Sequence, residues 1–496
     1  MTKSIQLTDL TLRDGNQSIA ATRMTREQTL RILPMLQRAG YTRMELWGGA
    51  ILDSCIRFLN EDPWERLEAY ARVLGGSGKI QALLRGQNLF AYQPYPDDLV
   101  ISFVKQAVES GVGVMRIFDA LNDERNLTIA LLATKAYGAK AEAALSYTVS
   151  PVHTVDYFVD YARRLEEMGA DQLAIKDMAG LLHPTDAVAL IRRLRQNTSL
   201  PIALHSHTTT GVGLLNAVIG MVYGVDSIDC AITPFAGGSS HPPVELLIVF
   251  AEELGLEHGL EKRFVIQAQA ELFRIFDELK THISYHGKYY RPVMFEDINR
   301  HQVQEILRLV STPIPENMET ALALSRTMLK ELGYPDYDDR IFDSQIPGGM
   351  LSNLQSQLRS MGRDDILDRL MTEIPRVRRD VGYVPLVTPT SQIVGSQAAF
   401  NLIMGEEYAH ASDEFRMLLR GEFGRTPAQP NPEVVRKVLG EAEEPLRYRP
   451  ASYLMPVLEE PVRLPFVRTH KDLLLHFLFR EAADTFLKNR YALEEV

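Results

Sequence analysis

The chain of 496 residues is long enough to bury a large core, and its 45% hydrophobic and 24% charged residues are typical of a globular protein. Its formal net charge of -11 argues against nucleic acid or an anionic membrane as a partner, because both favour clustered lysine and arginine. Two cysteines provide no disulfide framework and no apolar run reaches the roughly eighteen residues that span a bilayer, so we expect a cytoplasmic protein without membrane insertion.

Short apolar segments alternate with amphipathic helical stretches from residue 5 to about residue 285. This alternation is typical of βαβ units and a parallel sheet. The eight candidate strands are Ile5–Leu10, Arg43–Trp47, Lys79–Leu84, Val114–Phe118, Ala143–Tyr147, Gln172–Lys176, Ile202–His207 and Ser227–Ala231. Eight such units favour a (β/α)8 TIM barrel in an α/β protein, and we expect this barrel domain to span residues 1–285.

Helical patterns replace the strand signals after the barrel. Residues 286–496 are therefore predicted to form a second, mostly helical C-terminal domain. The predicted helices include Met318–Leu332, Met350–Met361, Asp364–Glu373, Ser391–Leu402 and an apolar helix over Asp472–Leu487.

Two histidines, His205 and His207, lie one residue apart at the end of the seventh candidate strand. Alternate residues of a strand project to the same side, so both imidazoles could bind one metal ion. Active sites of such barrels lie at the carboxyl ends of the strands. Asp14 and Lys176 also lie at strand ends and are candidate further ligands.

Lys176 ends an apolar strand, and burying its ammonium group is costly unless that group is paired or chemically changed. A carbamate formed with CO2 would make it a carboxylate-like ligand. Together with Asp14 and two imidazoles, it would complete a site suited to zinc, cobalt or manganese. In the alternative interpretation, Lys176 pairs with Asp14 or Asp177 and the histidines are structural.

Several motifs in this order resemble the biotin-dependent carboxyltransferases that act on keto acids. This family includes pyruvate carboxylase, the oxaloacetate decarboxylase α subunit and the transcarboxylase (methylmalonyl-CoA carboxyltransferase) 5S subunit. The resemblance covers nearly the whole chain. Its motifs lie at residues 7–23, 45–50, 58–67, 84–88, 116–123, 175–180, 205–211, 347–350 and 387–391.

The resemblance implies a role for particular residues of this chain. Asp14, carbamylated Lys176, His205 and His207 correspond to the metal ligands of the family. Residues expected to bind the keto acid or line its pocket are Gln17, Arg85, Arg13, Asp53 and Tyr92. Thr388 corresponds to the threonine that shuttles a proton between biotin and the methyl carbon of pyruvate, with Arg85 and Lys176 as further catalytic groups; alternatively, Thr388 only caps the helix near Ser391.

The activity implied is transfer of a carboxyl group between biotin and pyruvate or oxaloacetate through a metal-stabilised enolate. The sequence contains no Ala-Met-Lys-Met biotin-attachment motif. We therefore expect no biotin-carrier domain and a separate biotin carboxyl carrier protein as partner. This favours a transcarboxylase-type subunit, which implies a CoA carboxyltransferase subunit as a further partner, and the family implies a homodimer.

Other interpretations stay open. The chain could be an oxaloacetate decarboxylase α subunit that lacks its biotin domain. A related metal-dependent aldolase or lyase would share Asp14 and the two histidines but would have no use for a carbamate or for Thr388. A catalytically silent scaffold is a third alternative. The segment from Gly237 to Pro242 resembles the transcarboxylase and decarboxylase branch of the family more closely than the pyruvate carboxylase branch.

Overall fold

The computed structural model describes residues 4–345, 364–441, 445–459 and 464–494. Within these residues, eight parallel strands close into one barrel in chain order, so that the first strand pairs with the eighth. The strands are β1 Gln6–Asp9, β2 Met44–Gly48, β3 Ile80–Leu84, β4 Val114–Phe118, β5 Lys140–Ser146, β6 Gln172–Asp177, β7 Ile202–Ser206 and β8 Ser227–Cys230. The predicted TIM barrel is confirmed.

Helices connect consecutive strands and cover the outside of the barrel. Those of the barrel region are α1 Asn16–Ala20, α2 Arg26–Ala39, α3 Gly49–Ser54, α4 Pro63–Leu74, α5 Asp97–Glu109, α6 Thr128–Ala136, α7 Val155–Glu167, α8 Pro184–Asn197, α9 Gly213–Tyr223, α10 Val244–Glu253 and α11 Lys262–Glu278. Their apolar faces pack on strands that are buried along nearly their whole length, which explains why the strands read as short apolar runs.

The later part of the described chain is helical, as predicted. Its helices are α12 Arg300–Ser311, α13 Pro315–Glu331, α14 Arg340–Ser344, α15 Leu367–Asp380, α16 Thr390–Met404, α17 Asp413–Arg420, α18 Pro432–Leu439, α19 His470–Phe479 and α20 Glu481–Glu494. The predicted helix Met350–Met361 and the motif at residues 347–350 lie outside the described residues. No helix in the described ranges is long and apolar enough to cross a membrane.

Two large hydrophobic cores hold most of the described elements together, and a small third cluster lies within the barrel strands. The larger core joins the barrel to α12 and α13 and, at Leu474 and Phe486, to the C-terminal helices. The smaller core lies within α15 to α18, where Leu370, Val394 and Phe415 are buried. Each such side chain contributes about 1.5–3 kcal/mol to stability on burial.

The boundary at residue 285 between a barrel domain and a helical domain stays a prediction.

Hydrogen bonds attach the smaller core to the barrel mouth. Buried Arg378 of α15 donates to the Thr148 hydroxyl at 2.9 Å and to the Val149 carbonyl at 2.8 Å, just after β5. Asn126, which precedes α6, donates to the Phe423 carbonyl at 2.8 Å. These bonds place the N-terminus of α16 over the carboxyl ends of the strands.

The C-terminal region departs from the prediction of one helix over Asp472–Leu487. The helix is interrupted at Arg480, whose φ of 48° and ψ of -125° separate α19 from α20. The two helices pack against each other and against the barrel core. Apolar periodicity continues across the interruption because both helices bury a face, so the sequence pattern alone did not reveal it.

Candidate functional site

One carboxylate and three imidazoles converge at the carboxyl end of the barrel. Donor atoms of Asp14, His205, His207 and His241 all lie within 4.8 Å of one another, and all four residues are buried. Asp14 Oδ2 is 3.3 Å from His241 Nε2, 3.7 Å from His205 Nε2 and 3.8 Å from His207 Nε2. The structure thus brings together three residues that the sequence predicted as ligands, and it adds His241.

These four residues lie in three different parts of the barrel. Asp14 lies in a π-helical turn, Thr11–Gly15, that begins just after β1 and is closed by a 2.9 Å bond from the Gly15 amide to the Leu10 carbonyl. His205 lies in β7 and His207 just beyond it. His241 lies in the loop between β8 and α10. Barrel closure brings β1, β7 and β8 together.

The other ring nitrogens of two histidines have fixed partners. His205 Nδ1 donates to Asp229 of β8 at 2.7 Å, and His207 Nδ1 donates to the Ser239 carbonyl at 2.7 Å. Such bonds fix the tautomer in which Nε2 carries the lone pair that a metal binds. Burial lowers the pKa of His207 to about 4 and holds the pKa of His205 well below its usual value, so both rings are neutral at pH 7.

Asp14 stays ionised in this buried position. Burial alone would raise its pKa, but the Arg13 guanidinium and the imidazoles of His207 and His241 hold the pKa of Asp14 well below its usual range. Arg13 Nη2 donates to Asp14 at 2.7 Å, and Arg13 Nε donates to Glu45 at 2.6 Å. An anionic oxygen and neutral imidazoles are a donor set that fits a divalent transition metal.

Lys176 lies beside this cluster because it pairs in register with His205 across β6 and β7. Its Nζ is 3.0 Å from His205 Nε2. No carboxylate lies within ion-pair distance of Nζ among the described residues, so the alternative in which Lys176 pairs with Asp14 or Asp177 is not seen. Burial lowers the pKa of Lys176 to about 8.

A network of buried charges lies beneath the cluster inside the barrel. Arg116 is fully buried and binds Glu142 and Asp229, and its Nη1 is 3.6 Å from Glu45. This network holds Asp229, which in turn orients His205. The sequence signal for it was available, since charged residues recur within otherwise apolar strands.

A cavity of about 570 Å³ opens next to the cluster. This volume suits a small molecule. All the residues that the resemblance assigned to substrate binding line it, and so does Thr388: Arg13, Gln17, Asp53, Arg85, Tyr92 and Thr388. Arg13 connects the cavity to the cluster because it also binds Asp14. Leu478 and Phe479 from the end of α19 complete the wall.

The lining residues differ in how far they are already paired. Arg85 donates to the Ala91 carbonyl at 2.7 Å, but its buried Nε has no hydrogen-bond partner among the described residues. Asp53 is bound to Arg57 at 2.6 Å, and Tyr92 is about half-exposed at the rim. Arg85 therefore has donors available for an anion.

Thr388 reaches the cavity from the loop that precedes α16. Helix α16 begins at Thr390 and has no side-chain cap, so the alternative role of Thr388 as a helix cap is not seen. The Thr388 side chain is exposed into the cavity.

Comparisons with known proteins agree with this geometry. Residues 341–496 match the family described as "Conserved carboxylase domain", and residues 123–271 match the "HMGL-like" family. A pyruvate carboxylase subunit of Methanocaldococcus jannaschii is 40% identical over 99% of this chain and 79% of its own length. The methylmalonyl-CoA carboxyltransferase 5S subunit of Propionibacterium freudenreichii is 39% identical over 98% of this chain and 88% of its own length.

A solved structure shows the same likeness. The carboxyl transferase domain of Rhizobium etli pyruvate carboxylase, solved with pyruvate and biocytin, superposes with a TM-score of 0.78 and 26% identity, covering 97% of this chain and 77% of that chain. The likeness spans both the barrel and the helices that supply Thr388. The chain therefore belongs to the family of biotin-dependent carboxyltransferases that act on keto acids.

Proposed function

We propose that this enzyme transfers a carboxyl group between biotin, carried by a separate protein, and pyruvate or oxaloacetate. One observation carries the proposal. A single cavity joins Arg85 and Gln17 of the barrel to Thr388 of the helical region, and Arg13 connects it to the histidine cluster. A lyase confined to the barrel would not need Thr388 there.

Arg85 and Gln17 are proposed to bind the keto acid. The unpaired donors of Arg85 suit the substrate carboxylate, because a guanidinium binds a carboxylate with two parallel hydrogen bonds. Gln17 already accepts a bond from Arg13 at 3.1 Å, so its amide group is held at the boundary between cavity and cluster and can donate to the substrate carbonyl. Arg13, Asp53 and Tyr92 complete the pocket.

Asp14, His205, His207 and Lys176 as a carbamate are proposed to hold a divalent cation, with zinc, cobalt and manganese as candidates. When bound, the cation supplies positive charge that favours an enolate of the keto acid. The carbamate proposal is supported by a buried Lys176 without a carboxylate partner among the described residues.

Thr388 is proposed to move the proton between C3 of pyruvate and the ureido nitrogen of biotin. A hydroxyl suits this role because its oxygen accepts one proton while it donates another. Apolar side chains, including Leu89, Phe118 and Phe479, line the same cavity and limit the water that could quench an enolate.

We further propose that the enzyme works in the cytoplasm as a homodimer and a transcarboxylase-type subunit, with a biotin carboxyl carrier protein and a CoA carboxyltransferase subunit as partners. Both described cysteines, Cys55 and Cys230, are free and buried, which suits a reducing compartment. The second candidate function is that of an oxaloacetate decarboxylase α subunit, which would use the same cavity.

The proposal is tested by incubating the enzyme with oxaloacetate, free biotin and a divalent metal, and measuring pyruvate release. We expect biotin-dependent release that falls by about 10²–10⁴-fold in Thr388→Ala, the usual contribution of a positioned proton-transfer group. Thr388→Ser keeps the hydroxyl and serves as the matched control. Release that does not depend on biotin, or an unimpaired Thr388→Ala variant, would contradict the proposal.

A further inference from the structure

We infer that His241 is a further metal ligand of this site, so that three imidazoles join Asp14 and the proposed Lys176 carbamate around the cation. No role for His241 was predicted from the sequence. The inference deepens the metal site of the proposed function, but it depends on the geometry of the cluster rather than on the reaction.

The His241 ring lacks the hydrogen-bond partners that a buried imidazole normally has. The residue is fully buried, yet neither ring nitrogen has a hydrogen-bond partner of good geometry among the described residues. Nε2 approaches Asp14 Oδ2 at 3.3 Å, which is within ion-pair distance but longer than the about 2.7–3.2 Å of a typical N–H···O hydrogen bond. A buried polar group without a partner costs about 1–3 kcal/mol, so a structure that keeps one needs a reason. A cation shared with Asp14 supplies that reason.

The spacing of the donor atoms also fits a shared ion. Two neighbouring ligand atoms each about 2.1 Å from one five-coordinate ion lie about 3.0–3.6 Å apart. The distances from Asp14 Oδ2 to the Nε2 atoms of His241, His205 and His207 are 3.3, 3.7 and 3.8 Å. His241 therefore has the spacing that best matches a shared ion. The three rings are also close to one another, with 4.4 Å between the centroids of His241 and each of the other two.

The loop that carries His241 is built into the site. The Gly237 amide donates to the His241 carbonyl at 2.8 Å, and the Thr208 amide donates to the Ser240 carbonyl at 2.8 Å. The same loop supplies the Ser239 carbonyl that orients His207. One loop thus fixes two of the three imidazoles, and His241 cannot leave the cluster without disturbing His207.

The test uses the full chain with its metal removed by chelation and replaced by Co²⁺. In the proton spectrum of the Co²⁺ protein, each imidazole bound through Nε2 gives one strongly shifted, exchangeable Nδ1–H signal. We expect three such signals in the unmodified protein and two in His241→Ala, with Co²⁺ bound at least about 10-fold more weakly. His153→Ala is the matched control, because His153 is also buried but bonds Ser150 and is not in the cluster.

The number of shifted Nδ1–H signals in the unmodified protein shows whether His241 binds Co²⁺, even if His241→Ala does not fold. Two signals there would overturn the inference, as would an unchanged spectrum in His241→Ala. Pyruvate release with only two signals would refute the ligand role and leave the proposed function intact. Three signals without biotin-dependent pyruvate release would support the ligand role of His241 and refute the proposed function.

Discussion

At the scale of single residues, the site depends on side chains whose pKa values differ from those of the same residues in water. Asp14 stays ionised although it is buried, and burial keeps the rings of His205 and His207 neutral. Lys176 differs from these three residues, because its charged form would be a buried ammonium without a carboxylate partner, which is costly. Its pKa of about 8 leaves a larger neutral fraction at pH 7 than an exposed lysine has, and the neutral amine is the form that reacts with CO2.

We therefore predict that Lys176 carries a carbamate. After equilibration with ¹³CO2, the ¹³C spectrum should show one protected carbamate signal that is absent in Lys176→Ala. That variant should lose metal and activity together, each by roughly 100-fold, because a ligand as well as a local charge is removed. Lys135→Ala is the control, since Lys135 is partly exposed and pairs with Asp171. A fully active Lys176→Ala variant would refute the carbamate.

At the scale of secondary structure elements, the position of Thr388 depends on helix α15. Arg378 of α15 donates to the Val384 carbonyl at 2.8 Å, four residues before Thr388, as well as to Thr148 and Val149 of the barrel. One guanidinium thus attaches the loop that carries Thr388 to the end of β5. Burial lowers the pKa of Arg378 to about 10, a value at which it is still charged near neutral pH.

We predict that Arg378→Met lowers kcat by about 10-fold or more while the KM for oxaloacetate changes less than threefold. The substrate contacts proposed for Arg85 and Gln17 come from the barrel and stay in place, whereas a misplacement of Thr388 by about 1 Å is enough to slow proton transfer. Steady-state kinetics measure both constants. Arg379→Met is the matched control, because the Arg379 side chain is 58% exposed. An equal loss in both variants would show that the bonds to the barrel do not position Thr388.

The strands were predictable from sequence because parallel strands buried on both faces leave continuous apolar runs. The predicted Val114–Phe118 agrees with the structure, and the predicted Ala143–Tyr147 differs from the observed Lys140–Ser146 mainly at its start, where Lys140 is exposed. The place of His241 in the cluster could not be predicted from apolar periodicity. It lies in a loop where no strand periodicity places its side chain, and only barrel closure brings β8 beside β1.

At the scale of the whole molecule, the metal cluster joins segments that are far apart in sequence. Asp14 follows β1, whereas His207 and His241 follow β7 and β8, the strands that close the barrel on β1. A cation bound to all of them is absent from the unfolded chain, so binding stabilises the closed barrel by mass action.

We predict that removing the metal lowers the melting temperature of the enzyme by several degrees. At a free metal concentration of 100 times Kd, binding contributes about 2.7 kcal/mol to the free energy of unfolding. Differential scanning calorimetry before chelation, after chelation and after adding back Zn²⁺ measures the effect. His207→Ala should show a smaller difference between the two states. An unchanged melting temperature after complete metal removal would contradict the prediction.

The position of the end of α19 in the cavity wall determines when the cavity is completed during translation. Gln17, near the beginning of the chain, and Phe479, near its end, line the same cavity, where Phe479 stacks on Phe90 with 5.0 Å between ring centroids. Domains generally fold from the N-terminus while the ribosome is still adding residues. A nascent chain that has already closed its barrel therefore still has an open cavity, which α19 seals only after it leaves the ribosomal tunnel.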